Sequence, residues 1–304
     1  MAGGYRGLVL GVLFVAGWAT AAAQVADKLE VPSASATLTD SMGKEISLSG
    51  VKLTTGTRRL AWLADLKGGT TDDAKKGPLA LDLREPNSTT FQKGVSTLIP
   101  VASVEAVRYD YPKQIMTVTV KGVTEPIPGT LQFKGLNVFG LEGTAGGAPT
   151  KLAGGTPKDG FRAVTFPNAK PVASHPPGGL GWAVQIEQPK AGNPSLAVRN
   201  LKALYTFPGG VEILHDAIPV RKGDPLPLNA TLKKVEFLAV DTNTHVAAVE
   251  VTSEAGADRL TAILLTREQA GRTGTLVGLL GEVDVGWKLF PLHTIKTIAP
   301  TAGK

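Results

Sequence analysis

The chain of 304 residues contains no cysteine. It therefore forms no disulfide, carries no thiol nucleophile and offers no thiolate to a zinc or iron–sulfur site. Anchoring through a lipidated cysteine is excluded for the same reason. If the protein is exported, as its amino terminus suggests, its stability must come from packing of the core.

The sequence also lacks the short motifs of common enzyme classes. It has no Gly-x-Ser-x-Gly elbow, no His-Glu-x-x-His motif, no Walker loop and no dinucleotide-binding fingerprint. Gly146-Gly147 and Gly154-Gly155 have no strand-to-helix context, which a phosphate-binding loop needs. We therefore predict a protein that is not an enzyme, with no catalytic residue and no cofactor.

No long apolar run follows residue 23, but the first 23 residues resemble a secretory signal peptide. Arg6 supplies the charge, Leu8–Val15 form the apolar region, and Ala21-Ala22-Ala23 is a small-residue cleavage pattern. The apolar region is far shorter than the roughly 20 residues of a membrane span. We predict cleavage after Ala23 and a secreted or periplasmic protein with no membrane span in the mature chain; an uncleaved anchor is the alternative.

The charge is mildly basic, at +6 from 32 Lys and Arg against 26 Asp and Glu. Removing Arg6 with the leader would leave +5. The basic residues occur as scattered pairs, Arg58-Arg59, Lys75-Lys76 and Lys233-Lys234, which favour solvated strand ends and loops. A nucleic-acid partner is not expected, because such proteins cluster basic and aromatic residues on one face.

The pattern of apolar residues predicts an all-β fold. Gly 36 and Pro 21 are frequent, and short alternating runs lie between them. Residues 36–48 and 231–252 predict hairpins, 95–120 predict a meander of strands, and 143–160 predict a loop. At most one or two short helices are expected, with candidates at 59–66 and, as a rival to a strand through Leu260–Leu265, at 257–270.

One short pattern occurs twice. Residues 98–107 and 289–298 share apolar, Pro, Ser/Thr, charged and β-branched residues at the same offsets around Pro100 and Pro291. Each predicts a strand, a bend at the proline and a second strand. Leu83-Arg84-Glu85 and Thr266-Arg267-Glu268 provide a second possible match, which suggests an internal duplication.

Proline and glycine are densest at residues 167–181, which we interpret as a linker between domains. We expect two tandem antiparallel β-sandwich or small-barrel domains; the bend at proline also occurs in small SH3-like barrels, an analogy of fold only. The predicted organisation is a signal peptide at 1–23, a flexible lead-in at 24–35, domain 1 at 36–166, the linker at 167–181, domain 2 at 182–299 and a tail at 300–304.

The histidines allow one hypothesis of metal-dependent hydrolysis. His215, His245 and His293 could converge on a metal in the second domain, with Asp216 or Asp241 completing the set. Their spacing does not require this, and Asp241-Thr-Asn-Thr has the composition of a β-turn. His175 lies in the predicted linker, so no metal site is assigned.

Tryptophans allow a second hypothesis. Trp62, Trp182 and Trp287 remain after removal of the leader, and exposed coplanar rings would suit a carbohydrate-binding module. Core packing is the default for single tryptophans on alternating strands.

The function predicted first is therefore binding or scaffolding by an exported, non-catalytic β protein, in the cell envelope or extracellular space. Its partner would be an envelope or extracellular protein or glycan. A sheet edge or a cluster of loops is the expected contact surface.

Overall fold

The computed structural model describes residues 29–30, 35–63, 77–84, 94–130, 139–154, 160–172, 178–187, 194–254 and 258–301. Within these residues the chain is nearly all β, with antiparallel sheets and no α-helix. The helical elements described are three-residue 3₁₀ turns, η1 (Ala61–Leu63), η2 (Val101–Ser103) and η3 (Leu292–Thr294). The all-β prediction is confirmed.

Strands are numbered β1–β24 in chain order. The nine-stranded sheet 1 consists of β1 (Leu29–Glu30), β2 (Ser35–Asp40), β3 (Glu45–Thr55), β7 (Val104–Asp110), β8 (Ile115–Val120), β9 (Ile127–Thr130), β10 (Gly140–Ala145), β11 (Ala148–Ala153) and β12 (Phe161–Thr165). Its order is β11-β10-β3-β2-β12-β7-β8-β9, and β1 pairs with β3.

The 13-stranded sheet 2 draws on both halves of the sequence. It consists of β4 (Thr57–Arg59), β5 (Leu79–Arg84), β6 (Ser96–Pro100), β13 (Gly181–Ile186), β14 (Ser195–Phe207), β15 (Val211–His215), β18 (Leu232–Asp241), β19 (Val246–Ser253), β20 (Asp258–Leu264), β21 (Thr266–Gln269), β22 (Arg272–Val283), β23 (Gly286–Pro291) and β24 (Ile295–Thr301). Its order is β20-β19-β18-β24-β13-β14-β22-β23-β6-β5-β4, with β15 beside β14 and β21 beside β22. Strands β16 (Ala217–Ile218) and β17 (Leu226–Pro227) form a separate two-stranded sheet.

The two halves of the chain meet where β6 pairs with β23. Trp287 lies opposite Leu98 in this antiparallel ladder, and β5 and β4 extend the sheet beyond β6. Strands β4–β6 therefore come from the first half of the chain but belong to sheet 2, which is built mainly from residues beyond 180. The predicted boundary at residues 167–181 stays a prediction, but hydrogen bonds link strands on either side of it.

Three buried apolar clusters follow from this arrangement. The first lies inside the first half and includes Leu38, Val107 and Phe161. The second lies mainly in the second half and includes Trp182 and Phe290, with Ala61 and Val95 from the first half. The third forms on the opposite face of β5 and β6 and contains Leu60, Ala80, Leu98, Leu204, Leu280 and Leu289. Because β5 and β6 contribute to the first and third clusters, both of their faces are covered.

The repeated pattern takes the same local form in both places. Pro100 ends β6 with φ −52° and ψ 124°, η2 follows, and β7 begins. Pro291 ends β23 with φ −59° and ψ 137°, η3 follows, and β24 begins. A proline removes a ladder donor and holds φ near −65°, which explains why each strand ends there.

The second match proposed from the sequence occupies different places in the two halves. Arg84 lies in β5, which pairs directly with β6. Arg267 lies in β21, which pairs with β22 and not with the strand before the proline. Arg84 and Arg267 therefore do not occupy equivalent positions of one unit.

Several local predictions are confirmed and others are wrong. The hairpins at 36–48 and 231–252 are β2–β3 and β18–β19. The meander over 95–120 is only partly correct, since β7 pairs with β8 but β6 turns into sheet 2. A loop over 143–160 is wrong in its first part: Gly146 and Gly147 have φ values of 55° and 87° and join β10 to β11 in a two-residue hairpin.

The helix considered over 257–270 is wrong, because β20 and β21 occupy the described residues there. The short helix at 59–66 is reduced to η1 in its described part. Leu29–Glu30, assigned to a loose lead-in, pair with β3. The leader, His175 and Lys75-Lys76 lie outside the described residues.

Candidate functional site

The histidines proposed as metal ligands lie apart. His215 ends β15 and packs edge-on against Tyr205, with ring centroids 5.5 Å apart. His245 is exposed in the turn before β19, and His293 is exposed in η3. Among the described residues, no three His, Asp or Glu side chains are grouped so that they could hold a metal ion. The predicted histidine site for a hydrolase is therefore not formed there.

Asp241 has a structural role in its turn. Its carboxylate accepts hydrogen bonds from the backbone N–H of Asn243 at 2.9 Å and from the Thr244 hydroxyl at 2.7 Å. The Thr244 bond is the main cause that lowers the pKa of Asp241. This arrangement agrees with the predicted β-turn.

The three tryptophans do not form a flat platform. Trp182 is buried in the second cluster, with 1% of its surface exposed. Trp62 and Trp287 are half-buried and meet edge to face, 6.4 Å apart and 84° between planes. A sugar ring stacks on an exposed aromatic face. The coplanar set imagined from the sequence is therefore not formed.

An ion pair lies beside Trp62, where η1 approaches β15. Arg58 Nη2 bonds to Glu212 Oε1, and both side chains are mostly buried. Burial raises the pKa of Glu212, and the charge of Arg58 partly opposes this shift. The sequence suggested that Arg58 lies on a solvated strand end, which is wrong: β15 covers it. This pair lies at the contact between the two halves of the chain.

A candidate binding surface lies on the outer side of sheet 1, where hydroxyl groups form rows across paired strands. We call it the hydroxyl face, and its hydroxyl-bearing members are Thr37, Thr39, Ser47, Thr117, Thr119 and Thr165. One row crosses β3, β2, β12, β7 and β8 through the positions Ser47, Thr37, Thr165, Ala106 and Thr119. A second row continues from Thr39 through Ala163 and Arg108 to Thr117.

Strand alternation explains this face. In β2, Ala36 and Leu38 are buried while Thr37 and Thr39 remain partly exposed. Side chains of successive residues point to opposite sides of a strand, so the apolar residues fill the first cluster and the threonines face outward. Residues directly opposite one another on paired strands share a face, which aligns the hydroxyls into rows.

Arg108 lies on this face through the alternation of β7, and Arg162 joins it because β12 is irregular. Phe161 and Val164 are both fully buried, although regular alternation would place residues three apart on opposite faces. A register shift between Phe161 and Ala163 resolves the conflict. Such a bulge redirects a side chain, and it leaves Arg162 exposed beside Arg108 of β7.

The arginines line a groove of about 770 Å³ in this face. Its walls are formed by Arg108, Tyr109, Asp110, Tyr111, Pro112, Thr117, Thr119, Pro126 and Arg162. Tyr111 stacks on Tyr109 with ring centroids 5.9 Å apart and 9° between planes. The Tyr111 hydroxyl donates to the backbone oxygen of Phe161 at 2.6 Å, and the ring packs against the first cluster.

The groove carries positive charge. Lys113 neutralises Asp110, with Nζ 3.1 Å from Oδ2, and its hydrogen bond is the main cause that lowers the pKa of Asp110. Within the described residues, Arg108 and Arg162 have no ion-pair or hydrogen-bond partner. Glu45 is exposed on the same face at the end of the second row, two strands from Arg162 and three strands from Arg108.

Sequence reasoning recognised the strands of this site but not the site itself. Thr117 and Thr119 alternate with Met116 and Val118, which are buried. This alternation was a visible signal for one exposed row. The approach of Arg162 to Arg108 depends on strand order and on a bulge, and neither is apparent from local spacing.

Comparison of the chain with models of known families, with curated proteins and with solved structures finds no match. Within the described residues, no helix has the length and apolarity to cross a membrane.

Proposed function

We propose that this is an exported, non-catalytic binding protein that acts in the cell envelope or extracellular space, and that the hydroxyl face is its contact surface. The observation that carries the proposal is the groove in which Arg108 and Arg162 lie together. Exposed guanidinium groups that have no partner among the described residues are available to carboxylate, phosphate or sulfate groups of a ligand. The contact surface is thus a sheet face, whereas the sequence favoured an edge or a loop cluster.

The binding proposal is tested by neutralising the two arginines together. We expect Arg108→Gln with Arg162→Gln to abolish co-sedimentation with washed envelope material from the organism that encodes the protein. Lys222→Gln with Lys233→Gln removes the same amount of charge from exposed positions in the second half. This control variant should still co-sediment with the envelope material. Equal behaviour of the two double variants would place the contact surface elsewhere.

Export is tested by locating the protein and sequencing its amino terminus. The mature chain should begin at Gln24 and be found in the periplasm or the medium. Retention of Met1–Ala23 in membranes would favour the uncleaved anchor. Turnover of any substrate that is abolished by changing a single Asp or His would contradict the non-catalytic part of the proposal.

The architecture that we propose is two related small-barrel units. This is supported by the shared strand, Pro, 3₁₀ turn and strand at Pro100 and Pro291. It is also supported by the strand order before each proline. β3 continues into β4, β4 pairs with β5, and β5 pairs with β6, which ends at Pro100. β14 pairs with β22, and β22 pairs with β23, which ends at Pro291. An experimental structure in which the strand, Pro, 3₁₀ turn and strand around Pro100 fail to superpose on those around Pro291 would argue against this architecture.

A further inference from the structure

We propose, resting on the function above, that the hydroxyl face binds an anionic polysaccharide, whose acidic groups contact Arg108 and Arg162 and whose sugar hydroxyls contact the threonines. The surface offers charge, hydroxyl groups and apolar proline rings in one place. Each of these features indicates one chemical group that the ligand should carry.

The backbone beneath the groove excludes recognition by strand addition. Strand β7 pairs with β12 on one side and with β8 on the other, so its ladder groups are occupied. An extended peptide gains most of its affinity at a sheet edge, where backbone donors and acceptors are open. A ligand on this face must be recognised through side chains alone, which suits a saccharide better than a peptide strand.

The two guanidinium groups set the requirement for negative charge. Arg108 and Ala163 lie opposite each other, and Arg162 precedes Ala163 on the neighbouring strand. Neighbouring strands are about 4.8 Å apart, so the two arginines reach acidic groups that lie close together along a ligand. Guanidinium binds a planar carboxylate through two parallel hydrogen bonds, and it contacts sulfate and phosphate in a similar way.

The threonines set the requirement for hydroxyl groups. Thr117 and Thr119 line the groove, and each hydroxyl both donates and accepts a hydrogen bond. Sugar hydroxyls do the same, so the two sets complement each other. Pro112 and Pro126, which also line the groove, provide apolar surface for the C–H face of a sugar ring. Nucleic acid is less suited, since binding to a phosphate backbone usually uses a larger basic patch.

Binding of defined polymers tests the proposal. Polygalacturonate is compared with its methyl ester, which has the same sugar backbone without the charges. We expect the acid form to bind at least about tenfold more tightly, the loss typical of a charge-assisted hydrogen bond. Polyglutamate and single-stranded DNA serve as non-saccharide polyanions, and titration calorimetry in the same buffer gives the affinities.

Two sets of variants separate charge from hydroxyl recognition. Arg108→Gln with Arg162→Gln should weaken binding of polygalacturonate about tenfold or more. Thr117→Val with Thr119→Val keeps the side-chain shape and should weaken it about threefold to tenfold through lost hydroxyl bonds. Lys222→Gln with Lys233→Gln should leave the affinity unchanged. Unchanged circular dichroism and melting temperature establish that each variant is folded.

The results distinguish failure of this inference from failure of the proposed function. The polysaccharide inference is overturned if polyglutamate or DNA binds as tightly as polygalacturonate and the valine variant binds as the wild type does. In that case the proposal of a contact surface is retained, with other anions as its ligands. If the arginine variant binds every polyanion and the envelope material as the wild type does, both proposals fall.

Discussion

At the scale of single residues, the buried pair of Arg58 and Glu212 predicts a measurable effect on the free energy of unfolding. Glu212 is buried, and its second carboxylate oxygen has no hydrogen-bond partner within the described structure. Removing one member of a buried pair leaves an uncompensated charge, which typically costs about 3–5 kcal/mol. We expect Arg58→Met to lower the free energy of unfolding by about this amount, measured by urea denaturation at pH 7.

The double variant Arg58→Met with Glu212→Met should recover most of the loss, because no charge is then buried. A double-mutant cycle measures this coupling. Additive losses in the two single variants would contradict a direct interaction. The exposed pair of Lys234 and Glu236 is the control, and its removal should change stability little.

The pH dependence of stability provides a second test at the same residue. Burial raises the pKa of Glu212 above its ordinary value of 4.5, so the folded state binds this proton more tightly than the unfolded chain. Its contribution to stability is therefore complete below about pH 4.5 and is lost as the pH rises through the folded pKa. Glu212→Gln should remove this contribution. The free energy of unfolding of the wild type relative to the variant should therefore decrease as the pH rises. A difference that is constant from pH 4 to pH 8 would contradict it.

At the scale of elements, the joint between β6 and β23 depends on Gly286. This residue has φ 138°, and an added Cβ would lie 2.2 Å from the backbone oxygen of Leu98 and 3.1 Å from Pro100 Cδ. Real Cβ atoms do not approach backbone oxygen so closely, so the two strands would have to separate. The glycine that precedes the repeated pattern is therefore needed for the contact between the halves.

Gly286→Ala should lower the free energy of unfolding by about 1–3 kcal/mol or more, through the forced shift and loss of pairing. Gly210→Ala is the matched control, since Gly210 also has positive φ, at 76°, but has nothing within 4 Å of an added Cβ. The loss in Gly286→Ala should exceed the loss in Gly210→Ala, because only Gly286→Ala brings a Cβ against the backbone of Leu98. Equal losses in thermal denaturation would show that the strand joint is not responsible.

At the scale of the whole molecule, sheet 2 and the third apolar cluster predict that the two halves unfold together. Leu98 is fully buried between Leu204 and Leu280 and contributes from the first half of the sequence. Leu98→Ala should cost about 2–5 kcal/mol. Hydrogen exchange followed by mass spectrometry should show lower protection in β7 and in β13 alike.

Leu238→Ala is the control for this variant, because Leu238 is 53% exposed and its truncation should change stability little. Loss of protection in β13 alone would mean that the halves are independent cooperative units. Two separated transitions in calorimetry of the wild type would give the same conclusion.

The local chemistry of the sequence determined the class of structure. Alternation in β2 and β8, the turn at Asp241 and the bend at Pro100 act over a few residues, so they are readable without a fold. The absence of cysteine excluded whole groups of sites for the same reason. The hairpin at Gly146-Gly147 was missed, although two adjacent glycines favour such a turn.

The tertiary structure decided which strands became neighbours, and with them the site. Pairing of Leu98 with Trp287 joins residues nearly two hundred positions apart, and local periodicity carries no information on such partners. Arg162 faces outward beside Arg108 only because Phe161 and Val164 both pack into the core and the strand bulges between them. Alternation thus determined that threonines would face solvent, whereas long-range strand order determined that they would lie in rows around two arginines.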